Sequence, residues 1–161
     1  MNINRITYRR QIKSSDLDAI DRIVKSSGFF SAAEIDLAGE LADEKLTDHT
    51  SSYQFLFAED KDLVLGYTCF GLIPATDASY DLYWIAVDNS LRAQGWGKQL
   101  LQETESIIQN SGGRRVYAET SSRLQYSVTH KFYEHCGYIR EAFLKDFYAV
   151  GDGKIIYSKT L

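Results

Sequence analysis

The residues best placed to do chemistry lie in the stretch Trp84-Ile85-Ala86-Val87-Asp88-Asn89-Ser90-Leu91-Arg92-Ala93-Gln94-Gly95-Trp96-Gly97-Lys98. An apolar strand runs into a loop with two glycines, and the loop opens a helix. Backbone N–H groups collect there at the positive end of a helix dipole, where glycine permits close approach. The chemistry this serves is binding of a phosphate or pyrophosphate. Arg92 and Lys98 add positive charge locally. Two phosphate loops do not fit. A dinucleotide-binding Gly-x-Gly-x-x-Gly needs glycine where the chain has Leu100, and a P-loop needs glycine and Ser/Thr where it has Arg92 and Gln99. An ordinary strand-to-helix turn leaves Arg92 and both glycines unexplained.

Such a loop works only if strands and helices hold it. Residues 6–10 read as a short first strand. Ser14-Ser15-Asp16 supplies N-cap chemistry for a helix with Leu17, Ile20, Ile23 and Val24 as its apolar positions, ended at Ser26-Ser27-Gly28. A second helix over 31–45 places Ile35, Ala38, Leu41 and Ala42 on one face. The period then changes. Residues 53–58 and 63–73 are strands joined by a hairpin turn at Glu59-Asp60-Lys61-Asp62, and 80–87 is another strand. A helix over 98–110, with Leu100, Leu101, Thr104, Ile107 and Ile108 on one side, stops at Ser111-Gly112-Gly113. A strand over 116–120 and a helix over 127–135 follow, the helix ended by Gly137 at positive φ. Strands over 138–147 and 154–160, around Gly151-Asp152-Gly153, close the order β-α-α-β-β-β-α-β-α-β-β. No repeat or linker interrupts it, so one α/β (α+β) domain with a mixed sheet is expected over 1–161.

Composition narrows the function. A chain this long buries roughly 70% of its unfolded surface, and 44% hydrophobic residues fill a core without disulfide or metal. Lys+Arg 18 against Asp+Glu 22 leaves a net charge of −4 with no basic stripe, so no nucleic-acid partner is expected. No apolar run approaches the ~20 residues of a membrane span. Met1-Asn2-Ile3-Asn4-Arg5 does not open a signal peptide, and a cytoplasmic location is expected. Cys69 and Cys136 read as reduced, packed thiols. His49, His130 and His135 have no ligand cluster around them, and no metal is expected.

What remains of the loop is Arg92-x-x-Gly95-x-Gly97, preceded by Val87-Asp88 and followed by Leu100-Leu101. About 35 residues on, Phe132-Tyr133-Glu134-His135-Cys136-Gly137-Tyr138 carries the pattern Tyr-x-x-x-Gly-Tyr. On these two motifs and the elements between them, the sequence resembles the GNAT superfamily of N-acetyltransferases along nearly its whole length. The resemblance implies a mostly antiparallel sheet of six to seven strands flanked by about four helices, with acetyl-CoA as acyl donor. It implies that the backbone of Ile85, Ala86 and Val87 pairs with the pantetheine arm. It further implies that the N–H groups of Arg92, Ala93, Gln94, Gly95, Trp96, Gly97 and Lys98 hold the pyrophosphate. In the family the fourth and fifth strands splay apart to admit the cofactor.

Amide formation from a thioester needs a neutral amine, stabilisation of the charge that develops on oxygen, and a proton for the departing thiolate. By the resemblance, Tyr133 protonates the sulfur. Two carboxylates compete as base. Glu119 resembles the glutamate of ribosomal-protein N-terminal acetyltransferases, although it stands fourteen residues before the tyrosine instead of twelve. Asp81, eleven residues before Arg92, matches a position from which histone-type and some N-terminal acetyltransferases present a base. In a strand, Asp81, Tyr83, Ile85 and Val87 share one face. Where many relatives have Asn contacting cofactor or substrate, the chain has Tyr126, so by the resemblance that contact is either lost or made differently, with Ser122 or Ser127 as candidates. Arg123 and Lys131 are further candidates for the cofactor phosphates. Each residue has a plainer alternative: packing for Tyr133, solvated strand-end charge for the carboxylates, ordinary surface for the basic pair.

The acceptor site has no comparable signature. The two N-terminal helices, loop 74–80 and the turn Asp146-Phe147-Tyr148-Ala149-Val150-Gly151-Asp152 are the candidate walls. That turn resembles the aromatic loop bordering the peptide site of N-terminal acetyltransferases. Phe29, Phe30, Tyr83, Phe147 and Tyr148 are candidate lining residues, and the acidic balance favours a cationic amine. The leading expectation is acetyl transfer to a primary amine of a small molecule or peptide N-terminus. Transfer is direct in a ternary complex, by a monomer or homodimer and without a cysteine nucleophile. The alternative is a CoA-binding sensor or interaction module with this fold and little catalysis.

Overall fold

The computed structural model describes residues 6–28 and 30–161; the N-terminal pentapeptide and Phe29, both invoked above, lie outside the described residues. The elements are β1 (Ile6–Arg9), α1 (Asp16–Ser26), α2 (Ala32–Thr47), β2 (Gln54–Asp60), β3 (Leu63–Leu72), β4 (Ser79–Val87), α3 (Trp96–Asn110), β5 (Arg115–Ser121), α4 (Ser127–His135), β6 (Ile139–Ala149) and β7 (Asp152–Thr160). Seven strands form a mixed sheet in the order β1-β2-β3-β4-β5-β7-β6. β4 and β5 run parallel, whereas β1–β2, β2–β3, β5–β7 and β6–β7 are antiparallel. Class, element order, strand number and helix number agree with the sequence reading. The chain divides into two compact units, one built from residues up to Gly71 with Trp84–Thr104, the other from Leu72–Tyr83 with Glu105–Leu161.

In the first unit, the apolar stripe of α1 (Ile20, Ile23, Val24) and the small residues Ala38 and Ala42 of α2 bury against Phe55, Phe57, Tyr67 and Cys69. Burial pushes the Cys69 thiol well above its ordinary range, which leaves it an inert packing group. Helix α2 opens on a capping box: Ser31 Oγ accepts from Glu34 N–H at 3.3 Å, and the Glu34 carboxylate accepts from Ser31 N–H at 2.7 Å. Helix α1 departs from expectation, because Ser15 makes no side-chain cap. Instead Asp16, only 1% exposed, accepts from Lys13 N–H at 2.7 Å and pairs with Arg9 at 2.8 Å. Arg9 also reaches Glu59 at 2.6 Å. A buried carboxylate with a guanidinium partner thus fixes the chain entering α1, in place of a side-chain cap on the helix. The β2–β3 turn is also tighter than predicted. Pairing continues to Asp60↔Leu63 through a bulge at Ala58/Glu59, leaving only Lys61 and Asp62, with Lys61 at φ 58°.

In the second unit, β5 pairs along its whole length with β7, from Arg115↔Thr160 to Ser121↔Lys154. Tyr80, Leu82, Val116, Ala118, Ile155 and Tyr157 are buried, and the alternation along each strand sends their neighbours to the other face. β6 and β7 stay in register to Leu144↔Lys154 and resume at Ala149↔Asp152, so residues 145–148 bulge out opposite Gly153. Asp146, at φ 53°, closes this bulge by accepting from Gly151 N–H at 2.8 Å. Gly153 is required there, since a Cβ would lie 2.4 Å from the Phe143 ring and 2.8 Å from the Leu144 carbonyl oxygen. The strands therefore run past the predicted Gly151-Asp152-Gly153 turn, which is made instead by Val150 and Gly151.

Candidate active site

β4 delivers the chain to the glycine loop of the first unit. Asp88 N–H donates to Leu65 O at 2.8 Å, and the Asp88 carboxylate accepts from Ser90 N–H at 3.0 Å and Ser90 Oγ at 2.7 Å. The Ser90 hydroxyl and an ion pair with Arg22 hold this carboxyl below its usual range. A 3-10 turn over Asn89–Leu91 follows, and Leu91 and Trp96 bury with Leu65, pinning both ends of the loop. Between these anchors Ala93 (φ 59°) and Gly95 (φ 83°) are left-handed. Helix α3 starts at Trp96, two residues earlier than its periodicity predicts, so Gly97 lies inside its first turn. Arg92 N–H donates to Asn89 O at 3.2 Å and Gln99 N–H to Gly95 O at 3.1 Å. Among the described residues, the N–H groups of Ala93, Gln94, Gly95, Trp96, Gly97 and Lys98 find no acceptor. A Cβ on Gly95 would meet nothing within 4 Å. Consecutive free donors, a helix start, open space and the exposed Arg92 and Lys98 fit a pyrophosphate.

The second unit carries the candidate proton-transfer groups on two faces of its strands. Asp81 pairs with Tyr117 on β5, whose face continues through Glu119 and Ser121; across β7 these face Ser158, Ile156 and Lys154. The sheet thus puts Asp81, Glu119 and Lys154 on one face. Glu119 is ion-paired with Lys154. Asp81 is half-buried and, among the described residues, has neither hydrogen bond nor ion pair. Burial, then the Glu119 charge, push its carboxyl above the usual range, and Lys154 pulls the other way. The Lys154 ammonium lies 3.8 Å from the Phe147 ring centroid and 5.6 Å from that of Tyr148. These two rings, 5.0 Å apart and edge-on, are presented by the β6 bulge.

Tyr133 is on the other face. Its ring packs at 5.5 Å against Tyr157 and 5.4 Å against Tyr138, and burial pushes its phenol far above its ordinary range. The fold therefore brings Asp81 and Glu119 together but sets Tyr133 among core aromatics.

A family model for the GNAT acetyltransferase domain matches residues 51–140. The chain belongs to the GNAT acetyltransferase family. Its general reaction is acyl-CoA-dependent acetyl transfer. A solved protein from Desulfovibrio desulfuricans, assigned to the same family, is 44% identical over 96% of this chain and 98% of its own, with a TM-score of 0.92. The ribosomal-protein-S18-alanine N-acetyltransferase of Escherichia coli shares the fold at TM-score 0.74 and 16% identity, covering 96% of this chain and 93% of its own. An aminoglycoside 6'-N-acetyltransferase complexed with coenzyme A does so at 0.73 and 18%, covering 96% of both chains. No curated protein matches significantly.

Several smaller expectations for this GNAT chain are redistributed by the structure. Arg123 is tied to Asp152 at 3.1 Å, which also accepts from Ser121 Oγ at 2.5 Å. Ser122 Oγ accepts from Gly153 N–H at 2.8 Å, so this hydroxyl serves the β6–β7 turn. Tyr126 is buried in a 3-10 turn over Leu124–Tyr126, while Lys131 is exposed on α4. Phe30 packs on Trp84 at 5.1 Å, a core contact, whereas Tyr83, Phe147 and Tyr148 are exposed. Lys154 is the residue that sequence reasoning missed. Its role depends on the β5–β7 register and the β6 bulge, neither of which leaves a local signal.

Proposed function

We propose that this protein is an acetyl-CoA-dependent N-acetyltransferase acting, as one catalytic domain, on a primary amine of a small molecule or a peptide N-terminus. The observation that carries the proposal is the run of acceptor-free N–H groups from Ala93 to Lys98 in a family member. In this reading residues 92–98 hold the pyrophosphate, and the backbone of residues 85–87 pairs with the pantetheine arm. The donor supplies an acetyl group already activated as a thioester. Asp81 takes the first proton that the acceptor ammonium must lose, and burial, by raising its carboxyl above the usual range, makes it a stronger base than a solvated carboxylate. The Tyr133 phenol, kept protonated by burial, gives a proton to sulfur. The balance closes: one C–N bond forms and one C–S bond breaks, and nitrogen gives up two protons, the first to the Asp81 carboxylate and on to water, the second from the tetrahedral adduct to water, which returns a proton to Tyr133 after its phenol has protonated the thiolate. A cytoplasmic location and a monomeric or homodimeric state belong to the same proposal; no helix among the described residues is long and apolar enough to cross a membrane.

The test is thermal unfolding with acetyl-CoA, CoA or ATP at matched concentration. A ligand at about 100 times its Kd stabilises by roughly 2.7 kcal/mol, or about 5–10 °C for a domain of this size. A shift with both CoA species and none with ATP is expected, followed by thiol release with an amine panel covering diamines, aminoglycosides and peptide N-termini. CoA binding with no thiol release from any amine would favour the sensor reading. No shift with either CoA species would remove the loop assignment.

A further inference from the structure

We propose that Lys154 is a positioning residue of the acetyl-transfer site: clamped on the Phe147 and Tyr148 rings, it holds Glu119 as its counter-ion and leaves Asp81 as the carboxylate free to take a proton. The inference rests on the proposed function above. Three observations on one strand face carry it. The Lys154 side chain is 13% exposed, unusual for lysine, and its ammonium sits between an ion-pair partner and two aromatic faces. The β6 bulge that presents those rings is itself built around Gly153, where a Cβ has no room, and around Asp146 in a left-handed conformation. The carboxylates are partnered unequally: Glu119 holds Lys154, while Asp81 holds nothing among the described residues.

Taking a proton on Glu119 would break its ion pair with Lys154, whereas taking one on Asp81 breaks no pair among the described residues. An unpaired, partly desolvated carboxylate is the better base. The charged and titratable groups sharing this face are few. β4 contributes Tyr83, β5 contributes Tyr117 and Glu119, β7 contributes Lys154, the β6 bulge contributes Tyr148, and the Arg115–Glu141 pair, at 3.5 Å, lies further along β5 and β6. β3 has no charged side chain. Glu119 and Lys154 are therefore the groups that set the field at Asp81.

The experiment is an NMR titration of the Asp81 carboxyl carbon in wild type, Lys154→Met, Lys154→Arg, Glu119→Gln and the Lys154→Met/Glu119→Gln double variant, with folding checked from the amide spectrum. Loss of the Lys154 charge should raise the Asp81 midpoint by about half a pH unit or more, as a unit charge does across a few ångströms of solvent-screened space. Lys154→Arg, which keeps charge and ring stacking, should restore it. Glu119→Gln should lower the midpoint, and the double variant should fall between the two single ones. In turnover, the acid limb of the kcat/KM profile should follow the same order. An active wild type whose Asp81 midpoint ignores both substitutions overturns this inference. So does a Glu119→Gln variant that is dead at every pH while Asp81→Asn still turns over. Failure of the functional reading looks different: the midpoints move as expected but the wild type acetylates no amine.

Discussion

Gly95 offers the sharpest test of the pyrophosphate loop, because the chain contains its own control. Gly95 and Gly112 flank α3, both sit in left-handed conformations, at φ 83° and 84°, and a Cβ on either would meet nothing within 4 Å. Replacing either by alanine therefore costs backbone strain alone. A left-handed residue with a Cβ costs about 1–2 kcal/mol, and the lower entropy of the unfolded alanine chain returns about 0.4–1 kcal/mol. The net loss is roughly 1 kcal/mol, or about 2–4 °C in Tm, and it should be the same for Gly95→Ala and Gly112→Ala. The two part company when CoA is added. Position 95 lies within the run of acceptor-free N–H groups, whereas position 112 lies in a turn outside the loop. If the methyl weakens binding tenfold, a concentration worth about 2.7 kcal/mol to wild type leaves about 1.4 kcal/mol. Differential scanning fluorimetry, with each variant referred to its own ligand-free Tm, reads this directly. Equal CoA-induced shifts for the two variants would refute the placement of pyrophosphate on residues 93–98.

Three further predictions follow from the second unit. Tyr133→Phe should lower kcat by about 10²-fold while leaving the CoA-induced shift intact; unchanged turnover in a thiol-release assay would mean that Tyr133 only packs. Gly153→Ala should cost about 2 kcal/mol, since its methyl would overlap the Phe143 ring and the Leu144 carbonyl; a fall in Tm of less than 2 °C would show that the β6 bulge yields freely. Asp81→Asn should abolish turnover and yet stabilise the fold. The folded carboxyl is held above its unfolded range, so its ionised form is penalised in the fold. That penalty is present at pH 7 and disappears as pH falls through the raised value to below about 4. Because Asp81 is half-exposed, solvent screening limits the gain to about 0.5 kcal/mol. A variant less stable than wild type at pH 7 would contradict the desolvation argument.

Much of the fold was legible because its signals are local. The 3.6-residue spacing of Ile20, Ile23 and Val24, of Ala38 and Ala42, and of Leu100, Leu101, Thr104 and Ile108 marks faces that do bury. Gly137, placed at the end of α4 by its type alone, is at φ 88°. The errors fall where a tertiary partner overrides local chemistry. A serine cap was expected for α1, but Arg9 on a neighbouring strand makes Asp16 the better group to bury. The start of α3 was set too late because an exposed Gly-x-Gly reads as loop, whereas burial of Trp96 against Leu65 draws the helix back over Gly97.

The candidate site divides along the same line. The loop from Arg92 to Lys98 was legible because backbone donors need only glycine and a helix start, both visible in one dimension. The proton-transfer groups were legible as types but not as partners. Asp81 and Glu119 are separated by two loops and a helix, and only the register Asp81↔Tyr117 places them on one face. Lys154 enters through a second register, Ser121↔Lys154, and through a bulge that brings Phe147 and Tyr148 back over a residue several positions later. The same alternation separates Tyr133 from the carboxylates, since it stacks on Tyr157, which points away from Ile156 and Lys154. An acid and a base on opposite faces of a sheet need not exchange protons with each other. In a direct transfer the amine loses its proton on one side of the thioester and sulfur gains one on the other, so two separated groups, each with its own environment, suit the chemistry better than a shared pair. In the proposed reaction, burial acts on both groups in the same sense, holding the Tyr133 phenol protonated and raising the Asp81 carboxyl above its usual range.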